Sequence, residues 1–208
     1  MGAKPRAAVA VLMLGLAAAL GGCGDGDANG DGEDLAPPPT PRSETPHRVP
    51  ELPARWKVQV NRPGGFALGV PPGWRARNRG ATTLVRSFDR LTAVSIVPDR
   101  TDEAIELSPS DFATRAFSAL GGYAGDPEPG PERRFEHRYE GVELRARATA
   151  EETGVRQRVR LVVLRRGRHA TFTVVIAQHL RRGRESGRIA ERMLGTLRSR
   201  PVRPRRSP

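Results

Sequence analysis

Five arginines stand at alternate positions in two neighbouring stretches. Arg145 and Arg147 alternate with Leu144, Ala146 and Ala148, and Arg156, Arg158 and Arg160 alternate with Gln157, Val159 and Leu161. Period-two spacing belongs to an extended strand, in which residues i, i+2 and i+4 leave the same face. Guanidinium groups gathered in this way present planar forks of donors that match phosphate and carboxylate oxygens, so the chemistry they offer is anion binding. Arg134 and Arg138 are expected on the same face. Glu136, Glu140 and Glu143 are placed on that side as well, where they neutralise part of the charge. Two readings therefore compete: a basic face for an anionic partner, and a solvated face of cross-strand pairs partly covered by a helix.

Bond-making chemistry finds little support. No G-x-S-x-G nucleophile elbow occurs, and Lys57 is the only lysine beyond Lys4, which argues against a Ser-Lys pair. Cys23 is the only cysteine, so neither an internal disulfide nor a CxxC metal or redox site can form. Of the four histidines, His47 falls in a polar segment, His169 and His179 fall at opposite ends of one strand, and His137 alternates with Phe135 and Tyr139 and is read as a neutral core histidine. The acids Asp99, Asp102, Glu103, Glu151 and Glu152 are placed in loops. No glycine-rich phosphate loop precedes a helix, and no basic–aromatic interleaving suggests nucleic acid. The expectation is a non-catalytic protein without cofactor, metal or nucleic-acid partner.

The N-terminal stretch speaks of location. Lys4 and Arg6 precede an uncharged apolar run from Ala7 to Leu20, followed by Gly21, Gly22 and Cys23. This is the layout of a secretory signal, and its run is shorter than the roughly 20 residues a spanning helix needs. Leu20-Gly21-Gly22-Cys23 resembles the lipobox of bacterial lipoproteins. That resemblance implies cleavage before Cys23 and acylation of its sulfur, anchoring the chain to the outer side of the cell membrane. Stable anchoring takes two or more acyl chains.

Charge divides the rest. From Cys23 to Ala54 there are two basic and seven acidic residues, with glycine and proline abundant; from Arg55 to Pro208 there are 31 basic and 16 acidic residues. Residues 23–54 are expected to form a disordered tether, 55–199 a folded domain and 200–208 a basic disordered tail. Asp25, Asp27, Asn29 and Gly30 match the start of a calcium-binding loop, but Ala36 stands where its bidentate Glu belongs, so a solvated spacer is favoured.

Positioning the arginines is the work of the domain. Phe66–Val70, Leu84–Phe88 and Leu91–Val97 predict strands, the last ended by Pro98. Ser108, Pro109 and Asp111 have the spacing of a helix start, Phe112, Ala116, Phe117 and Leu120 share a face, and Gly121-Gly122 closes the helix. Four strands follow at 134–139, 142–149, 155–164 and 169–177, with Gly141, Gly154 and Gly167 at the turns. A last helix spans 186–197. Three strands, a helix, four strands and a helix make an α+β fold: an antiparallel sheet of about six to seven strands with two packed helices.

Gly65-Phe66-Ala67-Leu68-Gly69-Val70-Pro71-Pro72-Gly73-Trp74 resembles the opening strand and P-x-G-W turn of PsbP-like domains, including actinobacterial lipoproteins of the LpqN and LpqT type. The resemblance covers about residues 56–199 and implies a non-catalytic binding or scaffolding fold. Phospholipid headgroups, a phosphate-bearing wall polymer or an acidic protein surface are the candidate partners. The alternative is a small-ligand carrier or enzyme with its site between sheet and helix. Trp74 is read as structural, its indole covering the sheet edge.

Overall fold

The computed structural model describes residues 52–167 and 170–199. Cys23, most of the tether with its calcium-like spacing, the tail, His47 and His169 lie outside the described residues.

Among the described residues, ten strands and three helices run in the order β1 (Lys57–Asn61), β2 (Phe66–Val70), β3 (Arg75–Arg79), β4 (Thr82–Arg86), β5 (Thr92–Asp99), α1 (Asp102–Glu106), α2 (Pro109–Ser118), β6 (Arg133–Arg134), β7 (Glu140–Thr149), β8 (Arg156–Arg166), β9 (Ala170–His179), α3 (Arg184–Gly195) and β10 (Arg198–Ser199). Seven strands form one antiparallel sheet in the order β3-β4-β5-β9-β8-β7-β6, and β1-β2-β10 form a second, small one. The chain is therefore α+β, as its strand–helix pattern predicts.

The large sheet is covered on both sides. Val159, Leu161 and Val163 of β8 face α1 and α2, meeting Ala104, Phe112, Ala116 and Phe117. Val162 and Leu164 face the other way, with Phe172, Val174 and Ile176 of β9, onto Phe66 and Leu68 of the small sheet and Met193 and Leu194 of α3. Burial on both faces explains why β8 and β9 read as nearly continuous apolar runs instead of strict alternation. Asn61, fully buried, ties the two sheets together: its amide donates to the Ala81 carbonyl (2.9 Å) and to Thr83 Oγ1 (3.0 Å), while its oxygen accepts from the Gly64 N–H (2.8 Å).

Local signals explain the elements that were predicted and those that were not. Ser108 caps α2 by accepting from the Asp111 N–H, with Pro109 at the first helical position. The helix nonetheless ends at Ser118, before Gly121-Gly122. β3, Arg-Ala-Arg-Asn-Arg, is a charged margin strand with only Ala76 packed inward, so it carries almost no apolar alternation. Also unanticipated are β1, with two apolar residues of which Val58 is exposed, the single-turn α1, and the two-residue β10.

Pro98 lies inside β5 instead of ending it. Thr92 turns its carbonyl toward the β4 side, so Pro98, at the same parity, aims its missing N–H there too, beyond Ile96 where pairing with β4 stops. The strand expected at 134–139 shrinks to β6, because the Phe135 N–H turns back to the Gly141 carbonyl (3.0 Å). Gly141 consequently sits within β7, not at a turn, and a Cβ there would meet the Phe135 oxygen at 2.5 Å. Phe88 also leaves the expected strand; it stands at the β4–β5 turn. Trp74 is half-buried against the core, in keeping with its structural reading.

Candidate anion-binding site

The β7–β8 ladder sets the arginines in pairs. Arg145 lies directly opposite Arg160, Arg147 opposite Arg158 and Thr149 opposite Arg156, so all five arginines leave the same face, the one toward α3. Like charges directly opposite each other destabilise a sheet unless something neutralises them. At the inner pair that something is Glu143. One of its oxygens accepts from Arg145 Nη2 at 2.6 Å and the other from Arg160 Nε. Arg160 Nη1 reaches on to Glu191 of α3 at 2.6 Å. Glu143 and Arg160 are both buried. Arg160 is thus a structural cation enclosed beneath α3, and it does not belong to an accessible binding face. Hydrogen bonding to Glu143 raises the Arg145 pKa further, keeping that guanidinium charged.

The outer arginines have no such carboxylate among the ion pairs of the described residues. Arg147, Arg156 and Arg158 are exposed, and with Arg133 and Arg145 they line a hollow of about 730 Å³. Its other wall is the segment 124–130, which straps the margin of β7. The Gly130 N–H donates to the Arg145 carbonyl (2.8 Å) and the Ala124 N–H to the Thr149 carbonyl (2.9 Å). Asp126 and Glu128 on this strap also line the hollow, so its wall carries five cations and two anions. Among the described residues, two N–H donors of its lining residues have no hydrogen-bond partner: Arg145 Nε on the arginine face and the buried Gln157 Nε2, which leaves the opposite face of β8.

Several predicted neighbours are placed elsewhere. Arg133, in register with Glu143, joins the arginine face, whereas Arg134, in register with Val142, leaves the opposite one. Arg138 points to the end of α3, donating to the Gly195 carbonyl (3.4 Å). Glu140 is even-numbered on a strand whose arginines are odd, and it pairs in register with Arg165 on the far face. Only Glu143 of the expected acids neutralises the cluster. His137 is half-buried as expected, with Nε2 at 3.2 Å from the Leu194 carbonyl and Nδ1 accepting from the Tyr139 N–H (3.1 Å). Glu103 lies in α1, paired with Arg115 of α2. Tyr123 pairs with Ala150 beside the strap, and burial pushes its phenol up to about 12.

No protein-family model matches the chain, and a comparison with curated proteins gives no match. Among solved structures, the chain is similar to the solution structure of cyanobacterial PsbP (CyanoP) from Synechocystis sp. PCC 6803, with a TM-score of 0.52 at 12% identity over 69% of this chain and 92% of that one. It is less similar to LpqN of Mycobacterium tuberculosis, a protein involved in cell envelope biogenesis, with a TM-score of 0.41 at 16% identity over 65% of this chain and 83% of that one. At this identity the likeness to the cyanobacterial protein is one of fold: the described residues have a PsbP-like α+β fold.

Proposed function

We propose that this protein is a lipid-anchored, extracytoplasmic binding module that holds a phosphate-bearing anionic partner in the hollow formed by Arg133, Arg145, Arg147, Arg156 and Arg158. Cys23 carries the anchor in this reading, and residues 24–51 are the tether between membrane and domain. The lipobox-like Leu20-Gly21-Gly22-Cys23 and the PsbP-like fold support an envelope-associated role. Among the described residues no helix is long and apolar enough to cross a membrane.

One observation carries the ligand reading. Arg147 and Arg158 stand directly opposite each other at the mouth of a hollow, and no carboxylate is paired to either. The neighbouring pair, Arg145 and Arg160, has Glu143 to neutralise it. An anion seated in the hollow does for the outer pair what Glu143 does for the inner one, and it accepts from the idle donor Arg145 Nε. In this reading the role is binding without catalysis. The sheet–helix contacts, where a carrier or enzyme site is the alternative, are filled by apolar side chains.

The test is titration of the full chain with linear polyphosphate at two salt concentrations. Expected is saturable binding that weakens with salt and falls about tenfold or more in the Arg147→Gln/Arg158→Gln variant. Binding equal in parent and variant would remove the hollow from consideration.

A further inference from the structure

The register across the sheet brings four chain segments to one end. Arg75 is opposite Arg86, Thr92 is opposite Gln178, and Gln178 is opposite Arg158, while the His179 N–H donates to the Leu91 carbonyl (2.8 Å). The β2–β3 turn, the β4–β5 turn and the β9–α3 turn therefore lie side by side, with the β7–β8 hairpin next to them. Lys57, where the tether side of the chain enters the small sheet, is in register with Val70, three residues before Gly73 of the β2–β3 turn.

At this end stands Phe88, 82% exposed. Its exposure is enforced. Ser87 donates its N–H to the Thr92 carbonyl (2.9 Å), Thr92 returns its N–H to Ser87 Oγ (2.9 Å), Arg90 donates to the Ser87 carbonyl (3.1 Å) and Leu91 to Asp89 Oδ1 (2.9 Å). Gly73 closes against the base of the ring: a Cβ there would lie 3.5 Å from Phe88 Cβ. A hydrogen-bonded turn thus holds a large aromatic ring in water, where it contributes nothing to the core. The turns at this end carry the exposed cations Arg75, Arg90, Arg181, Arg182 and Arg184. The acids in the same turns are Asp89, whose carboxylate is engaged within the turn, and Glu185, and the adjoining β7–β8 hairpin adds the exposed Glu151 and Glu152.

We infer that this end of the domain docks on an anionic lipid bilayer, with the Phe88 ring entering the headgroup–acyl boundary and the arginines of these turns meeting lipid phosphates. An exposed aromatic ring at an end of the domain rich in arginines has the two properties an interfacial contact requires: an apolar group that gains by leaving water and cations that gain from a negative surface. A soluble anion has no use for the ring. The surface is separate from the arginine hollow, although docking brings the mouth of that hollow toward the headgroups. Beyond the proposed anchor, this contact gives the tethered domain a fixed orientation.

The experiment uses the full chain in vesicles whose lipids are brominated midway along the acyl chains. Emission is compared for the parent, which has Trp56 and Trp74, for Phe88→Trp, and for Ile105→Trp, which places an exposed indole in α1 on the helix-pair side. In vesicles with phosphatidylglycerol, Phe88→Trp should add emission that brominated lipid quenches by half or more, whereas Ile105→Trp should not. Neutral phosphatidylcholine vesicles and the Arg90→Gln/Arg181→Gln/Arg182→Gln background should both abolish the quenching. Equal quenching of the two added indoles, or none at position 88, overturns the inference. Polyphosphate titration reads the hollow independently, so loss of one activity with retention of the other shows which proposal has failed.

Discussion

Arg145 and Arg160 face each other across the β7–β8 ladder, and the single carboxylate of Glu143 holds both, one with each oxygen. Two cations in register are tolerable here because the anion sits on the same face, one step along the diagonal. Removing it should therefore cost more than its two hydrogen bonds. Glu143→Gln leaves Arg160 enclosed beneath α3 with only the outer carboxylate of Glu191, and a loss of about 3 kcal/mol is expected from chemical denaturation. Glu191→Gln, at the exposed end of the same chain of contacts, should cost less than about 1 kcal/mol. Replacing the enclosed pair together, Glu143→Leu with Arg160→Met, should recover most of the loss.

Asn61 makes three hydrogen bonds, two of them across to the large sheet and one within its own β1–β2 loop. Asn61→Leu strands the Gly64 N–H and the Ala81 carbonyl while keeping side-chain volume. A destabilisation of about 2 kcal/mol is expected, since buried groups left without partners cost about 1–3 kcal/mol each. The denaturant midpoint should fall with an unchanged slope; a slope that also changes would mean that the small sheet detaches by itself.

Gly141→Ala tests close approach without any positive φ. Its Cβ would meet the Phe135 oxygen at 2.5 Å, a backbone atom that cannot rotate away. The same substitution at Gly80, which has open space around it, meets only the conformational penalty of its left-handed backbone. Gly141→Ala should lower the thermal midpoint more than Gly80→Ala, by several degrees.

Tyr123 sets an alkaline limit. Its phenol is pushed by burial from the usual 10.0 to about 12. Between those values the unfolded chain has released the proton while the folded chain retains it, so the unfolded state binds fewer protons and stability falls as pH rises. The slope should approach about 1.4 kcal/mol per pH unit within this window and vanish below it. Equilibrium unfolding from pH 9 to 12 in parent and Tyr123→Phe checks this: the variant should lose that part of the slope.

The sequence shows β7 through period-two alternation, β8 and β9 through long apolar runs bounded by turn residues, and the start of α2 through Ser108, Pro109 and Asp111, because these signals are local. The arginine face is legible for the same reason: parity alone puts Arg145, Arg147, Arg156, Arg158 and Arg160 on one side. Parity does not reveal which of them is covered. Arg160 is enclosed because Glu191, 31 residues later, arrives on α3, a tertiary fact with no local trace. The place of Arg133 in the hollow turns on where a two-residue strand begins, and one residue decides between Arg133 and Arg134. β3 escapes notice because a charged margin strand has no apolar rhythm, and Phe88 is misread as a strand residue because the hydrogen bonds that turn the chain beneath it come from Ser87 and Asp89.

The strap over β7 and the arginines of β3 have a joint consequence for how these molecules behave in company. A sheet grows by recruiting strands at its margins, and here one margin is bridged by segment 124–130 while the other repels an identical neighbour through Arg75, Arg77 and Arg79. With the proposed anchor, copies would be held side by side on a surface and meet at high local concentration, the condition under which open sheets fuse into aggregates. A sheet sealed at both margins lets such a layer be crowded and still consist of separate domains, each with its hollow accessible.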